Sequence, residues 1–243
     1  MGPHFGEEPE LVGYRGSGTI FFAGCNLACQ FCQNWEISQV KRGHPTTVED
    51  LVRYMIELQA NGCHNVNLVT PTPYTPSILK ATRIARNRGL TLPIVYNCGG
   101  YESPETLAMC EGLIEIYMPD AKYSDARIAE AYSHAPNYPE VNRSALKEMR
   151  RQVGDLVENG GIAARGLLVR HLVLPNNAEN TRGVLEFISA ELSRDTYVNI
   201  MDQYRPCYRS DSLPGLSRRL MTSEYSETLS TARNLGLYRG FQA

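Results

Sequence analysis

The stretch GTIFFAGCNLACQFCQNWEIS, Gly18 to Ser38, opens as an apolar, β-rich run and then places Cys25, Cys29 and Cys32 with three and two residues between them. Thr19–Ala23 reads as a short buried strand, so the cysteines sit on the loop leaving its C-terminal end. A structural zinc site normally takes four protein ligands as two closely spaced pairs. No second pair follows here: Cys63, Cys98, Cys110 and Cys207 each stand alone, and His44, a conceivable fourth ligand, is not part of a knuckle pattern. Three thiolates suit an iron–sulfur cluster better, because they leave one iron open for coordination. Zinc is the weaker alternative, and plain core packing for three cysteines beside Gly24 and Asn26 is weaker still.

Outward from this strand the chain alternates between two periods. Asn65–Thr70, Leu92–Tyr96, Leu113–Met118, Gly166–Leu174 and Tyr197–Met201 read as further buried strands. Val48, Leu51, Val52, Met55 and Ile56 mark one face of a helix, with Thr46 and Glu49 spaced as a capping box and Asn61-Gly62 as its stop. Similar patterns span Ser77–Arg88, Glu140–Glu158, Thr181–Leu192 and Ser223–Asn234. Six β/α units in succession predict an α/β fold with an open parallel sheet, a partial (β/α)6 TIM-like barrel. The expected organisation is one domain over 1–243, with a lead-in segment at 1–17 and a C-terminal extension at 205–243 packing on the barrel. In such folds chemistry gathers at the C-terminal ends of the strands. The cysteine loop lies there, as do TPTPY, NCGGY, PDAKY, PNN and DQYRPC after the five later strands.

The 243 residues are 42 % hydrophobic, enough for a sizeable core, and seven cysteines is an odd number that argues against a disulfide scaffold. Net charge is −2 with both signs scattered, which leaves no footprint for nucleic acid or an anionic membrane. No run approaches the roughly 18 apolar residues of a membrane span, and the start lacks signal-peptide regions. The expected compartment is the cytoplasm.

Cys25-x-x-x-Cys29-x-Phe31-Cys32 after the first strand of a β/α chain resembles the radical S-adenosylmethionine (radical SAM) superfamily, including the aromatic residue before the last cysteine. PHFGEEP at the start and IMDQYRPCY at Ile200–Tyr208 look like one branch of it, homologues of the pyruvate formate-lyase activating enzyme. The resemblance implies a [4Fe–4S] cluster on the three cysteines, SAM chelated to the open iron, and reductive cleavage of SAM to methionine and a 5′-deoxyadenosyl radical. It further implies hydrogen abstraction from a protein or peptide, and a low-potential donor of flavodoxin or ferredoxin type. A small metabolite as substrate, or a non-catalytic electron carrier or binding module, are the alternatives.

Carried onto this chain, the resemblance makes Asp120 and Lys122 of PDAKY contacts to SAM or an associated cation. Arg170 of VRHLVLP becomes a SAM contact and Leu174 an adenine contact. Phe31, Asn34 and Asn97 join the implied cofactor-binding set. At the second strand VTPTP replaces a Gly-Gly-Glu-Pro-type motif, with Thr70 and Thr72 as substitutes. Gln203 or Tyr204 stands where activating enzymes carry a histidine. A single cluster is expected, since no further cysteine set precedes the second strand. Branch members often carry a cysteine-rich segment ahead of HFGEEP, and this chain begins almost at that point.

Other rim residues have two readings each. Cys207, and less so Cys98, suits a substrate-side hydrogen donor or an inert packing thiol. Cys63 and Cys110 read as packing residues. Gly99-Gly100 suits close backbone approach to SAM or a simple turn. If Arg170 faces the barrel interior, His171 faces the helices. His4, Glu7 and Glu8 fold over the rim or form a solvated tail. Tyr204, Arg205 and Tyr208 form a substrate patch or a packing corner.

Overall fold

The computed structural model describes residues 1–213 and 215–241. Pro214 and the last two residues, all within the expected 205–243 extension, lie outside the described residues. The strands are β1 (Gly2–His4), β2 (Ser17–Phe21), β3 (Val66–Val69), β4 (Ile94–Cys98), β5 (Ile116–Pro119), β6 (Val157–Asn159), β7 (Ile162–Leu172) and β8 (Tyr197–Met201). The α-helices are α1 (Pro9–Val12), α2 (Trp35–Ser38), α3 (Val48–Ala60), α4 (Thr75–Asn87), α5 (Pro104–Cys110), α6 (Ala126–Ser133), α7 (Tyr138–Val153), α8 (Ala178–Phe187) and α9 (Thr222–Asn234).

Strands β2, β3, β4, β5, β7 and β8 pair as successive parallel neighbours. They are the six expected from the sequence, joined as an open, mostly parallel sheet. Two short strands flank them: β1 runs antiparallel on β2, and β6 forms an antiparallel pair with β7. The helix expected over Glu140–Glu158 stops at Val153, because Gly154 turns left-handed (φ 75°) and the chain then enters β6. The capping box of α3 is Thr47 with Asp50, one residue beyond the expected pair; Asp50 N–H donates to Thr47 Oγ1 at 3.1 Å. Glu49 instead pairs with Arg88, the residue that caps the C-terminus of α4.

Alternation along the strands separates two apolar layers. Ile20, Leu68, Tyr96, Tyr117 and Val169 pack against the helices, while Val95, Ile116, Met118 and Leu168 turn into the lumen. The acidic start is not a solvated tail: it enters that lumen. Leu11 on α1 is fully buried among the lumen residues, and its carbonyl accepts from Asn65 Nδ2 at 2.8 Å just before β3. Helix α1 thus closes the N-terminal end of the lumen and leaves the opposite rim for chemistry. Among the described residues no helix is long and apolar enough to cross a membrane.

Candidate functional site

The loop carrying the three cysteines is held from several sides. Tyr74 OH donates to Ala23 O at 2.6 Å, Asn26 Nδ2 to Tyr101 O at 2.6 Å, and Gln39 Nε2 to Leu27 O at 3.0 Å. Helix α6 adds two backbone bonds, from Gln30 N–H to Tyr132 O and from Ala28 N–H to Ser133 O. All three thiols are free, and each meets a polar hydrogen-bonding group. Leu27 N–H lies 3.4 Å from Cys25 Sγ, Ser133 Oγ 3.0 Å from Cys29 Sγ, and Ser38 Oγ 3.1 Å from Cys32 Sγ.

Burial pushes the Cys25 thiol up to about 11 and also raises Cys29, and the neighbouring cysteines add to both shifts. Such sulfurs stay protonated until a cation compensates them, and metal binding then releases the protons. Among the described residues no three His, Cys, Asp or Glu side chains group around a single metal ion. A cubane asks for a different arrangement, one thiolate to each of three irons, and hydrogen bonds to the sulfurs tune it. The donor set fits that group. Phe31 backs the loop, buried and edge-on to Tyr132 and Tyr204 with ring centroids 6.4 and 6.1 Å away.

Beside the loop stands a buried charge cluster. Asp120 follows β5, and its Oδ2 accepts from Lys122 Nζ at 2.5 Å. Its Oδ1 accepts from Arg170 Nε at 3.0 Å, and Arg170 Nη2 donates to Asn97 Oδ1 at 2.8 Å. Burial alone would raise Asp120, but the charges of Arg170 and Lys122 outweigh it and hold the carboxyl below its usual range. Lys122 is raised in turn: Asp120, and then Cys29, overcome the effect of burial. Lys122 therefore pairs with Asp120 and lies within electrostatic range of Cys29.

The remaining expected residues divide. Leu174 is buried with Cys29, Phe31 and Tyr204. Thr70 stands at the end of β3 with φ 61°, a left-handed conformation that a β-branched residue rarely adopts; its N–H donates to Asn97 O at 2.9 Å. Thr72 is already engaged, donating to Glu102 Oε1 at 2.7 Å. Asn34 is exposed at the N-cap of α2 without a side-chain cap bond. Gln203 is exposed, and its carbonyl accepts from Gln33 Nε2 at 3.4 Å. Tyr204 is buried with its hydroxyl on Leu216 O, and Tyr208 stacks on Trp35 at 5.4 Å, so both serve packing; Arg205 is exposed.

Cys207 is half-buried on the segment after β8, its N–H donating to Ser210 Oγ at 2.8 Å. Cys98, in contrast, is buried with the helix-side core, away from the lumen face that holds Asn97, and Cys63 and Cys110 are buried in the same core. His171 faces the helices as expected: Nδ1–H donates to Ala121 O at 2.6 Å, and Thr181 on α8 donates to Nε2 at 3.0 Å. At Gly100, φ is 69° and a Cβ would lie 2.1 Å from Asp120 O. Glycine is needed there so that the loops after β4 and β5 can touch. Glu7 reaches Arg170 at the rim, 3.7 Å away, one of the two readings of its segment, whereas Ser133 was missed. Helix α6 is too short to show a period that would have placed Ser133.

The family model of the Radical SAM superfamily matches residues 19–185. The uncharacterised protein MJ0674 of Methanocaldococcus jannaschii is 32 % identical over 96 % of this chain, which spans 66 % of that protein's length. Among solved structures, Streptococcus suis SuiB bound to precursor peptide SuiA superposes with a TM-score of 0.59 at 12 % identity, over 87 % of this chain and 45 % of SuiB. A domain of pyruvate-formate lyase-activating enzyme from Bacteroides vulgatus gives 0.50 at 12 % identity, over 71 % and 94 %. At these identities the likeness concerns the fold.

Proposed function

Because this chain belongs to the radical SAM superfamily, with a [4Fe–4S] cluster and SAM as its cofactors, we propose that it is a radical SAM oxidoreductase that abstracts hydrogen from a protein or peptide. Cys25, Cys29 and Cys32 hold the cluster in this reading. The buried cluster of Asp120, Lys122, Arg170 and Asn97 at the strand ends is the observation that carries it. When bound, the cluster would supply the electron for reductive cleavage of SAM.

The chain's own part is to bind, orient and enclose. Asp120, Lys122, Arg170, Asn97 and Thr70 take the polar end of SAM, and Leu174 and Phe31 supply its apolar wall. Cys207 is the substrate-side hydrogen donor, and a low-potential flavodoxin or ferredoxin type carrier is the reductant. The polypeptide substrate follows the activating enzyme and the peptide-bound SuiB, whose folds this chain shares.

Anaerobically reconstituted protein, reduced with dithionite, should release 5′-deoxyadenosine from SAM. A protein carrying about four irons that leaves SAM intact would overturn the reading.

A further inference from the structure

Below the cofactor site, the lumen carries polar groups with no assigned work. Glu8 is only 5 % exposed; its Oε1 accepts from Asn199 Nδ2 at 2.9 Å, while its Oε2 is buried without a partner. Asn67 is fully buried, and neither atom of its amide has a partner. A buried polar atom left unpaired costs free energy, so both side chains ask for a ligand.

Both face the lumen. Asn67 lies in register between Thr19 and Val95, and Val95 packs with Leu11, Met118 and Leu168 inside it. Asn199 stands opposite Arg170, while its neighbours Val198 and Ile200 turn to the helix layer.

The charges say what kind of ligand. Arg170 faces Asp120, Glu8 and Glu7, and Lys122 pairs with Asp120. Those two cations are shared among the neighbouring carboxylates, and Glu8 makes its hydrogen bond to a neutral amide. Its second oxygen is left without a donor in a place shielded from water, where a cation gains most. The mouth above is apolar: Phe21 and Val69 are register partners at the ends of β2 and β3, and Phe21 is 42 % exposed. Asn67 lies two residues deeper than Val69, about 7 Å along the strand.

We infer that this floor binds the ammonium group of the substrate, as the end of an alkyl chain whose methylenes pass Phe21 and Val69 and whose nitrogen donates to Glu8 Oε2 and Asn67 Oδ1. The inference rests on the radical SAM reading and names the substrate class of that site. A free alkylamine and a lysine side chain offer the same chemistry.

The test titrates the cluster- and SAM-loaded protein with n-butylammonium and with n-butanol by NMR. A preference for the ammonium is expected, reduced at least about tenfold in Glu8→Gln, whose amide keeps the carboxylate's shape. Asn67→Leu, which retains all carboxylates, should reduce the same preference and serves if Glu8→Gln fails to retain its iron. A lysine-containing peptide compared with its norleucine counterpart then assigns the source: preference for lysine points to a polypeptide, equality to a small amine, and both keep the ammonium site. Equal binding of butylammonium and butanol, as for a pocket that only holds water, overturns the inference, and so does an unchanged preference in both variants. Failure of the wild-type protein to bind SAM at all would instead strike the reading on which the inference rests.

Discussion

Arg170 Nε lies 3.0 Å from Asp120 Oδ1, and the same two residues form an isolated parallel bridge between the end of β5 and β7. The backbone pairing brings the strands together, and the ion pair fixes the two side chains at the lumen rim. With Asn97 on β4 and Glu7 ahead of α1 added, one guanidinium ties together four separate parts of the chain. A carboxylate and a lysine held this way, before any ligand arrives, lose little freedom on binding one.

Lys122→Ala is therefore expected to weaken SAM binding about ten- to a hundredfold, the loss of one charge-assisted hydrogen bond, while iron content stays intact. Asp120→Asn should weaken it similarly but also cost stability, on the order of 3 kcal/mol, because Arg170 is left buried with less compensation. Equilibrium dialysis with SAM, beside iron analysis and a denaturant melt, separates the two effects. Unchanged SAM affinity in both variants would remove these residues from the cofactor site.

Replacing Cys25, Cys29 or Cys32 by Ala should abolish a load of about four irons with matching sulfide. Cys63→Ala and Cys110→Ala should keep it, since both thiols lie in the helix-side core. Zinc bound at one per chain without sulfide would refute the cluster assignment.

The six parallel strands were legible because each contains a buried apolar run that ends in a loop of Pro, Gly or polar residues. β1 and β6, three residues each, are too short to show a period, and β6 is fully exposed. The cap of α3 slipped by one residue for a visible reason. Thr46 and Thr47 are adjacent and each has an acidic residue three positions on, so spacing alone does not choose between them. The cysteine loop and PDAKY could be read because their chemistry is concentrated within a few residues. Glu8 could not, because its burial depends on Asn199, 191 residues away, and only the closed fold brings the two together.

His171 offers a test of the helix-side packing through pH. Burial holds its imidazole at about 4, below the ordinary value of 6.5, despite the hydrogen bond to Ala121 O. The folded state then binds a proton less readily than the unfolded state does. The stabilisation is fully present above about pH 6.5 and is lost as pH falls towards 4, by up to about 3 kcal/mol. Chemical denaturation of the wild type and of His171→Gln across pH 7 to 4 should show that slope shrinking in the variant. Parallel slopes would assign the acid sensitivity elsewhere.

Thr70 separates strain from function. Its left-handed backbone (φ 61°) stores roughly 1–3 kcal/mol, and it does so at the rim, next to Asn97. Thr70→Gly relieves that strain but gives back about 0.4–1 kcal/mol through a more flexible unfolded chain, so the net result is a more stable protein. If the strain exists to aim the Thr70 hydroxyl at SAM, the same variant should bind SAM more weakly as it becomes harder to unfold. A purely structural residue would give the rise in stability with SAM affinity unchanged. Melting temperature and SAM dissociation constant, measured on the same preparation, read the two effects independently, and only their opposite movement supports a ligand contact at Thr70.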